Sequence, residues 1–173
     1  MSTEVTGPAA RQGNTAFATS LALLLIRLVL GFTFFYHGSQ KLFGWFTENG
    51  APQVTRLAEG LHLPVLSPLS WAYMAALGEF CGGVLVFFGL FARLGTIPIL
   101  VVMWVAIATV HGQYGFSHFN PPGYEYNLAL IAMAGAILIA GPGLVSVDAC
   151  LFRRGLFARG PQPLGAPGTK GNA

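Results

Sequence analysis

Six ionisable side chains stand within or at the ends of the longest apolar runs of this sequence. They are Arg27, His37, Lys41, Glu79, His111 and Glu125. Because hydrocarbon cannot solvate an ion, such side chains normally face a helix-bundle interior, a partner or water. Histidine and carboxylate groups can also exchange protons near neutral pH. The residue types therefore indicate proton chemistry wherever the fold brings them together.

Three of these residues, at one end of the apolar runs, are predicted to form a proton-handling cluster: His37, His111 and Glu125. Glu125 shares a helical face with alanines at 129, 132 and 136, which predicts that it points into the bundle. Lys41, Tyr36 and Tyr124 fall at the same depth and are predicted to contact a ligand. Aromatic walls suit a flat ring, and a quinone fits that description. The alternative is an ordinary aromatic belt at the membrane surface, with Lys41 reaching the headgroups.

Small residues share the helical faces of the two most deeply placed charges. At 100° per residue, Gly31 lies on the face of Arg27, and Gly82 and Gly83 lie on the face of Glu79. Small residues let helix backbones approach closely. We therefore predict that the two faces meet and that Arg27 and Glu79 form an ion pair. Such a pair would fix the helix register, and the sequence leaves open whether it also takes part in chemistry.

The sequence contains no motif for a resident cofactor. No HxxxH or CxxC spacing is present, so no metal site is predicted. Haem ligation would have to rest on His37 and His111, two histidines of two helices, and is not favoured. Cys81 and Cys150 are predicted to be packing residues at different depths rather than a disulfide. Because no phosphate loop or Rossmann glycine pattern is found either, redox chemistry would need a partner protein.

Membrane-spanning helices are the elements that must position these residues. Of the 173 residues, 54% are hydrophobic and only 9% are charged, and the mean hydropathy is +0.62. A span needs about 20 mostly apolar residues. Spans are predicted at 17–38, 71–91, 94–111 and 125–142. The predicted fold is thus an all-α integral membrane four-helix bundle covering residues 16–152.

The flanking segments predict the orientation of the bundle. Lys and Arg concentrate on one side of the predicted spans, which places both termini in the cytoplasm. Residues 1–15 and 153–173 are predicted to be disordered tails, the second of them basic and suited to lipid headgroups rather than nucleic acid. In the first external loop, Val54, Leu57 and Leu61 recur at helical spacing before Pro64. This pattern predicts a short interfacial helix.

Three longer motifs occur in order along the chain: RLVLGFTFFYHGSQKLFGW, GEFCGGVLVFFGLFARLG and YEYNLALIAMAGAILIAGPGLVSVD. Together with the histidine that closes the third span, they resemble the DoxX family of small four-helix bacterial inner-membrane proteins. The resemblance covers residues 20–150 and implies a multi-pass protein of the bacterial inner membrane. It also implies functional roles for the six ionisable residues. The chain lacks the soluble domain and cysteine pair that a direct sulfur chemistry would require.

The resemblance implies a redox-associated or quinone-binding subunit of a membrane oxidoreductase system, working with soluble or membrane redox partner proteins. Whether the chain is itself an enzyme stays open. One alternative is a non-catalytic membrane scaffold or chaperone whose buried charges only fix helix packing. Another is a small-solute or proton transporter, because intramembrane Glu and His serve as proton relays. The small-residue faces are also compatible with a homo-oligomer.

Overall fold

The computed structural model describes residues 8–61 and 63–156, and these residues form helices and loops without β-strands. The α-helices are α1 (Pro8–Phe43), α2 (Val54–Glu59), α3 (Pro68–Phe88), α4 (Ala92–Ala106), α5 (Glu125–Ala140) and α6 (Val147–Leu156). A π-helical turn (Ile107–His111) and a 3₁₀ turn (Gly112–Tyr114) continue α4. The all-helical prediction is therefore confirmed for the described residues.

Three helical segments in the described part of the chain are long and apolar enough to cross a membrane. They are Thr15–Phe43, Pro68–Phe88 and Ala92–Tyr114, and they contain or overlap the first three predicted spans. The fourth predicted span, 125–142, corresponds to α5, an apolar helix of 16 residues. At 1.5 Å per residue α5 measures about 24 Å, less than the roughly 30 Å of a hydrocarbon core.

Glycines set the packing of α1 against α3. A Cβ atom at Gly31 would lie 2.6 Å from the backbone nitrogen of Phe87, and one at Gly38 would lie 2.7 Å from the Cα of Phe80. The two antiparallel helices therefore touch backbone to backbone, which only small residues permit. Seven residues forward along α1 correspond to seven residues back along α3. This register decides which charges can meet.

Local sequence explains the ends of α3 and its short connection to α4. The helix starts at Pro68, and the side chain of the preceding Ser67 accepts a hydrogen bond from the backbone N–H of Ser70. It ends at Gly89, which adopts a left-handed φ of 67°. The turn then leads directly into α4 at Ala92, so α3 and α4 form a tight hairpin.

The bundle core is apolar and lies between α1, α3, α4 and α5. Its buried members are Leu30, Phe34, Val86, Ala92, Ile99, Met103, Leu130, Ala134 and Ile137. A smaller cluster forms where α2 covers the start of α3, through Val54, Leu61 and Ala72. The short helix predicted in the first long loop is thus present as α2. Of the two predicted tails, residues 8–15 belong to α1 and 153–156 to α6, whereas 1–7 and 157–173 lie outside the described residues.

Candidate functional site

The most deeply buried ion pair in the described part of the chain joins Lys41 of α1 to Glu79 of α3. The Lys41 ammonium donates to both carboxylate oxygens of Glu79. The Glu79 side chain is only 3% exposed, whereas that of Lys41 is 22% exposed. The pair therefore has a buried acidic end and a basic end that is still open to its surroundings.

Arg27 and Glu79 have separate partners, which corrects the ion pair predicted from the sequence. On the register set by Gly31 and Gly38, Arg27 lies opposite position 91, beyond the end of α3, and Lys41 lies opposite position 77. The twelve residues between 79 and 91 correspond to about 18 Å at 1.5 Å per residue, too far for a side chain to span. The sequence identified the two helical faces that meet. It did not predict how far one face is displaced along the helix axis relative to the other.

Arg27 instead binds backbone carbonyl oxygens from two other parts of the chain. Its Nε donates to Val86 at 3.2 Å and one Nη to Phe87 at 3.3 Å. The other Nη donates to Pro142 at 2.7 Å and to Val145 at 2.8 Å. Val86 and Phe87 belong to the last turn of α3, whose carbonyls carry the negative end of the helix dipole. The Val86 carbonyl also accepts the backbone N–H of Gly89 at 3.1 Å. The direct contacts of this buried cation are therefore carbonyl dipoles, and the carboxylate of Asp148 adds an attraction at longer range.

The residues around Arg27 connect the end of α3, the start of α4 and the start of α6. A Cβ atom at Gly89 would lie 2.7 Å from the guanidinium carbon of Arg27, so this position requires glycine for space as well as for its positive φ. Asp148, at the start of α6, accepts hydrogen bonds from the backbone N–H groups of Phe91 (2.8 Å) and Ala92 (3.2 Å). Asp148 thus caps α4, which has no cap of its own.

The residues predicted to form a proton-handling cluster have different surroundings. His37 is exposed, and its ring contacts Tyr36 edge-on at 5.6 Å. His111 is half-buried, and its Nδ1 donates to the carbonyl oxygen of Pro122 at 2.9 Å. Glu125 is exposed at the first residue of α5. Among the hydrogen bonds and ring contacts of the described residues, none joins any two of these three side chains.

The predicted direction of Glu125 is wrong because α5 buries a different face. The residues that α5 turns inward are Asn127, Leu130, Ala134 and Ile137. This face is offset from that of Glu125 by two positions, which is about 200° around a helix. Sequence reasoning therefore missed Asn127, which is 5% exposed. Its signal was available, since Asn127 is the single amide in an otherwise apolar run.

The residues predicted to bind a ligand are engaged in contacts within the chain. Lys41 is held by Glu79, Tyr36 stacks on Phe46 with ring centres 4.8 Å apart, and Tyr124 contacts Phe116 edge-on at 5.7 Å. The cysteines differ from their predicted packing role, because Cys81 and Cys150 are both free and exposed. No group of three or more metal-ligating side chains occurs within the described ranges.

Comparison with known proteins gives a family and one relative. The model of the DoxX family matches residues 22–112. The Bacillus subtilis (strain 168) protein named "Putative oxidoreductase CatD" is 27% identical over 133 residues, which cover 77% of this chain and 89% of that protein. No solved structure matches the chain. The matched family is the one that the sequence motifs predict.

Proposed function

This chain belongs to the DoxX family, and from that premise we propose that it is a quinone-binding subunit of a membrane oxidoreductase system. The printed name of the Bacillus subtilis relative supports a redox role. The observation that carries the proposal is the Lys41–Glu79 pair, a charged donor and a carboxylate held among apolar helices. Charged groups at such a depth are expensive in lipid, and they mark ligand or proton pathways more often than not.

The chemistry proposed for the pair is proton transfer to a bound quinone. Reduction of a quinone to a quinol takes up two electrons and two protons, and a redox partner protein is proposed to supply the electrons. Lys41 and Glu79 can each give or take a proton while the other keeps the pair hydrogen-bonded. The open end at Lys41 is the route by which protons reach the buried carboxylate.

We further propose that His37 connects the pair to water. His37 lies one helical turn before Lys41 on α1 and is exposed. Histidine is a common proton carrier in proteins, and an exposed imidazole is in contact with water. His111 and Glu125 are proposed to contribute at the same end of the bundle, through the loop that His111 holds by its bond to Pro122.

The proposed placement in the membrane makes α5 the fourth span. Both termini then face the cytoplasm of a bacterial inner membrane, the Arg27 end of the bundle lies inside, and His37 lies toward the outer surface. The charge distribution supports this orientation because Arg93, Arg153 and Arg154 follow the inner ends of the helices.

The test is to purify the full chain from its native membrane in mild detergent and to extract and quantify quinone. We expect quinone in stoichiometric amount with the unmodified protein and a loss of at least tenfold in Glu79→Gln. Arg56→Gln is the matched control, because Arg56 is an exposed side chain of α2 outside the pair. If the unmodified protein carries no quinone above the level of bulk lipid, the proposal is refuted.

A scaffold role is the second candidate, and the packing of α1 on α3 favours it. The glycine contacts and the four carbonyls that Arg27 binds support this candidate, because they hold helices together without any ligand. A scaffold would tolerate replacement of Lys41 and Glu79 together by apolar residues without loss of cellular function. The redox proposal requires that this double variant be inactive while still folded.

A further inference from the structure

A groove on the outside of the bundle follows the seam between α4 and α5. Its volume is about 360 Å³. Its lining is entirely apolar or aromatic and consists of Leu100, Val101, Trp104, Val105 and Ile131. Because α4 belongs to a membrane-type segment and α5 is also apolar, an occupant would enter from the bilayer. The part of it that lies in the groove would have to be hydrocarbon.

Next to the groove, the seam stays open toward the start of α4. Gly135 lies one helical turn after Ile131 on α5, and an added Cβ at Gly135 would have nothing within 4 Å. On α4, Ile97 lies one turn before Val101, and both side chains are exposed. No side chain of α5 therefore fills the seam at Gly135.

Arg93 lies at the end of the same seam. At 100° per residue, Arg93 shares one face of α4 with Ile97 and Trp104. One Nη of Arg93 donates to the carbonyl oxygen of Ile139 on α5 at 3.2 Å, and the side chain is exposed. Within the described ranges, no carboxylate forms an ion pair with Arg93. The guanidinium thus bridges α4 and α5 and has further N–H groups to offer an anion.

The length of the seam matches a lipid acyl chain. Trp104 lies eleven positions after Arg93, about 16 Å at 1.5 Å per residue. One leaflet supplies half of a hydrocarbon core of roughly 30 Å, which is about 15 Å. A guanidinium is well suited to bind a phosphate group. A lipid whose phosphate contacts Arg93 would therefore have its chain ends beside Trp104.

From this alignment we infer that the α4–α5 seam binds an anionic phospholipid, with the phosphate on Arg93 and one acyl chain in the groove. Arg153 and Arg154 belong to α6, whose start lies at the same end of the bundle. The local charge therefore favours a headgroup with a net negative charge over a zwitterionic one. The inference goes beyond quinone binding and does not depend on it, and it leaves the Lys41–Glu79 pair available for the proposed proton transfer.

The test measures quenching of Trp104 fluorescence by brominated phospholipids in nanodiscs. The full chain carries Trp45→Phe and Trp71→Phe, so that Trp104 is its one tryptophan. Phosphatidylglycerol or phosphatidylcholine with dibrominated chains is titrated into unbrominated phosphatidylcholine. We expect phosphatidylglycerol to compete for the position beside Trp104 about fivefold better than phosphatidylcholine, and Arg93→Gln to reduce this ratio below about twofold. Arg56→Gln is the matched control, because Arg56 is exposed on α2, and it should keep the ratio of the parent.

Gly135→Leu tests the acyl chain without altering Arg93. A side chain has room at this position and should block the seam between Arg93 and the groove. We expect the preference for phosphatidylglycerol to fall below about twofold, with no loss of thermal stability because glycine is a poor helix former. Gly135→Ala is the matched control at the same position. It adds only a Cβ and should keep the preference of the parent.

Three results would overturn the inference. Equal competition by the two lipids in the parent would mean that Arg93 does not select the headgroup. A preference that survives in either Arg93→Gln or Gly135→Leu would mean that the lipid is not seated along this seam. No quenching by either lipid would mean that protein, such as a second copy of this chain, covers the groove. If Arg93→Gln does not fold, the comparison of the two lipids and the Gly135 variants still decide.

Discussion

Removal of one partner from the Lys41–Glu79 pair tests the register of α1 on α3. In Lys41→Met, the carboxylate of Glu79 stays where its side chain is 3% exposed. Insertion scales place the cost of a charged side chain near the centre of a span at about 2.5–3.5 kcal/mol, and breaking a buried ion pair typically costs 3–5 kcal/mol. We therefore expect Lys41→Met to lower the free energy of unfolding by about 3 kcal/mol.

The double variant Lys41→Met with Glu79→Leu should recover most of that loss. It leaves no unpaired charge, and buried ion pairs replaced by apolar residues are often neutral or more stable. The free energy of unfolding should return to within about 1.5 kcal/mol of the parent, which corresponds to a favourable coupling of at least about 1.5 kcal/mol between the two sites.

The assay is equilibrium unfolding by sodium dodecyl sulfate in mixed micelles, followed by circular dichroism. Arg56→Met is the control for loss of a basic side chain, and it should change the free energy of unfolding by less than about 0.5 kcal/mol. Additive losses in the Lys41→Met and Glu79→Leu variants would mean that the two side chains do not interact. The helix register derived from Gly31 and Gly38 would then be refuted.

Three more outcomes follow from the packing. Arg27→Met should cost at least about 3 kcal/mol in the same assay because it removes the four hydrogen bonds from the guanidinium to the carbonyls of residues 86, 87, 142 and 145. A loss below about 1 kcal/mol would contradict that contact set. Gly31→Ala should lower the thermal midpoint of unfolding, because an added Cβ would meet the backbone of Phe87. Gly135→Ala has nothing within 4 Å of an added Cβ and should be neutral or raise stability by up to about 1 kcal/mol. Equal effects of the two substitutions would contradict the close packing of α1 on α3. A membrane-impermeant maleimide should label Cys150 only from the cytoplasmic side and should not label Cys81, and labelling of Cys150 in intact cells would reverse the proposed orientation.

The sequence is informative about which faces are buried. Arg27 and Gly31 are buried on their shared face of α1 as predicted, and so are Glu79 and Gly82 on α3. These faces can be recognised because small residues and charges are both rare on a lipid-facing surface.

The partners of the charges were harder to predict because every residue has a backbone carbonyl, so residue type does not reveal which carbonyl will accept a hydrogen bond. Sequence reasoning looked for an acid to match Arg27, and found Glu79. The true acceptors are carbonyls that become available only where α3 ends and where the chain turns after α5. In α5 the alanines suggested an inward face for Glu125, yet alanine is accepted on either side of a helix. Asn127 was a better indicator of the buried face of α5, because a polar amide is rarely placed against lipid.

Asp148 and the two carbonyls at 142 and 145 lie beyond residue 112, where the family match ends. A nascent chain that has inserted α1 to α4 therefore holds a guanidinium with half of its acceptors and an α4 whose first N–H groups have no carboxylate. The bundle can close at this end only after the segment up to Asp148 has been synthesised. Shortened products that stop before it would present an incompletely neutralised cation within the bilayer, a feature by which membrane proteases could distinguish them from finished protein.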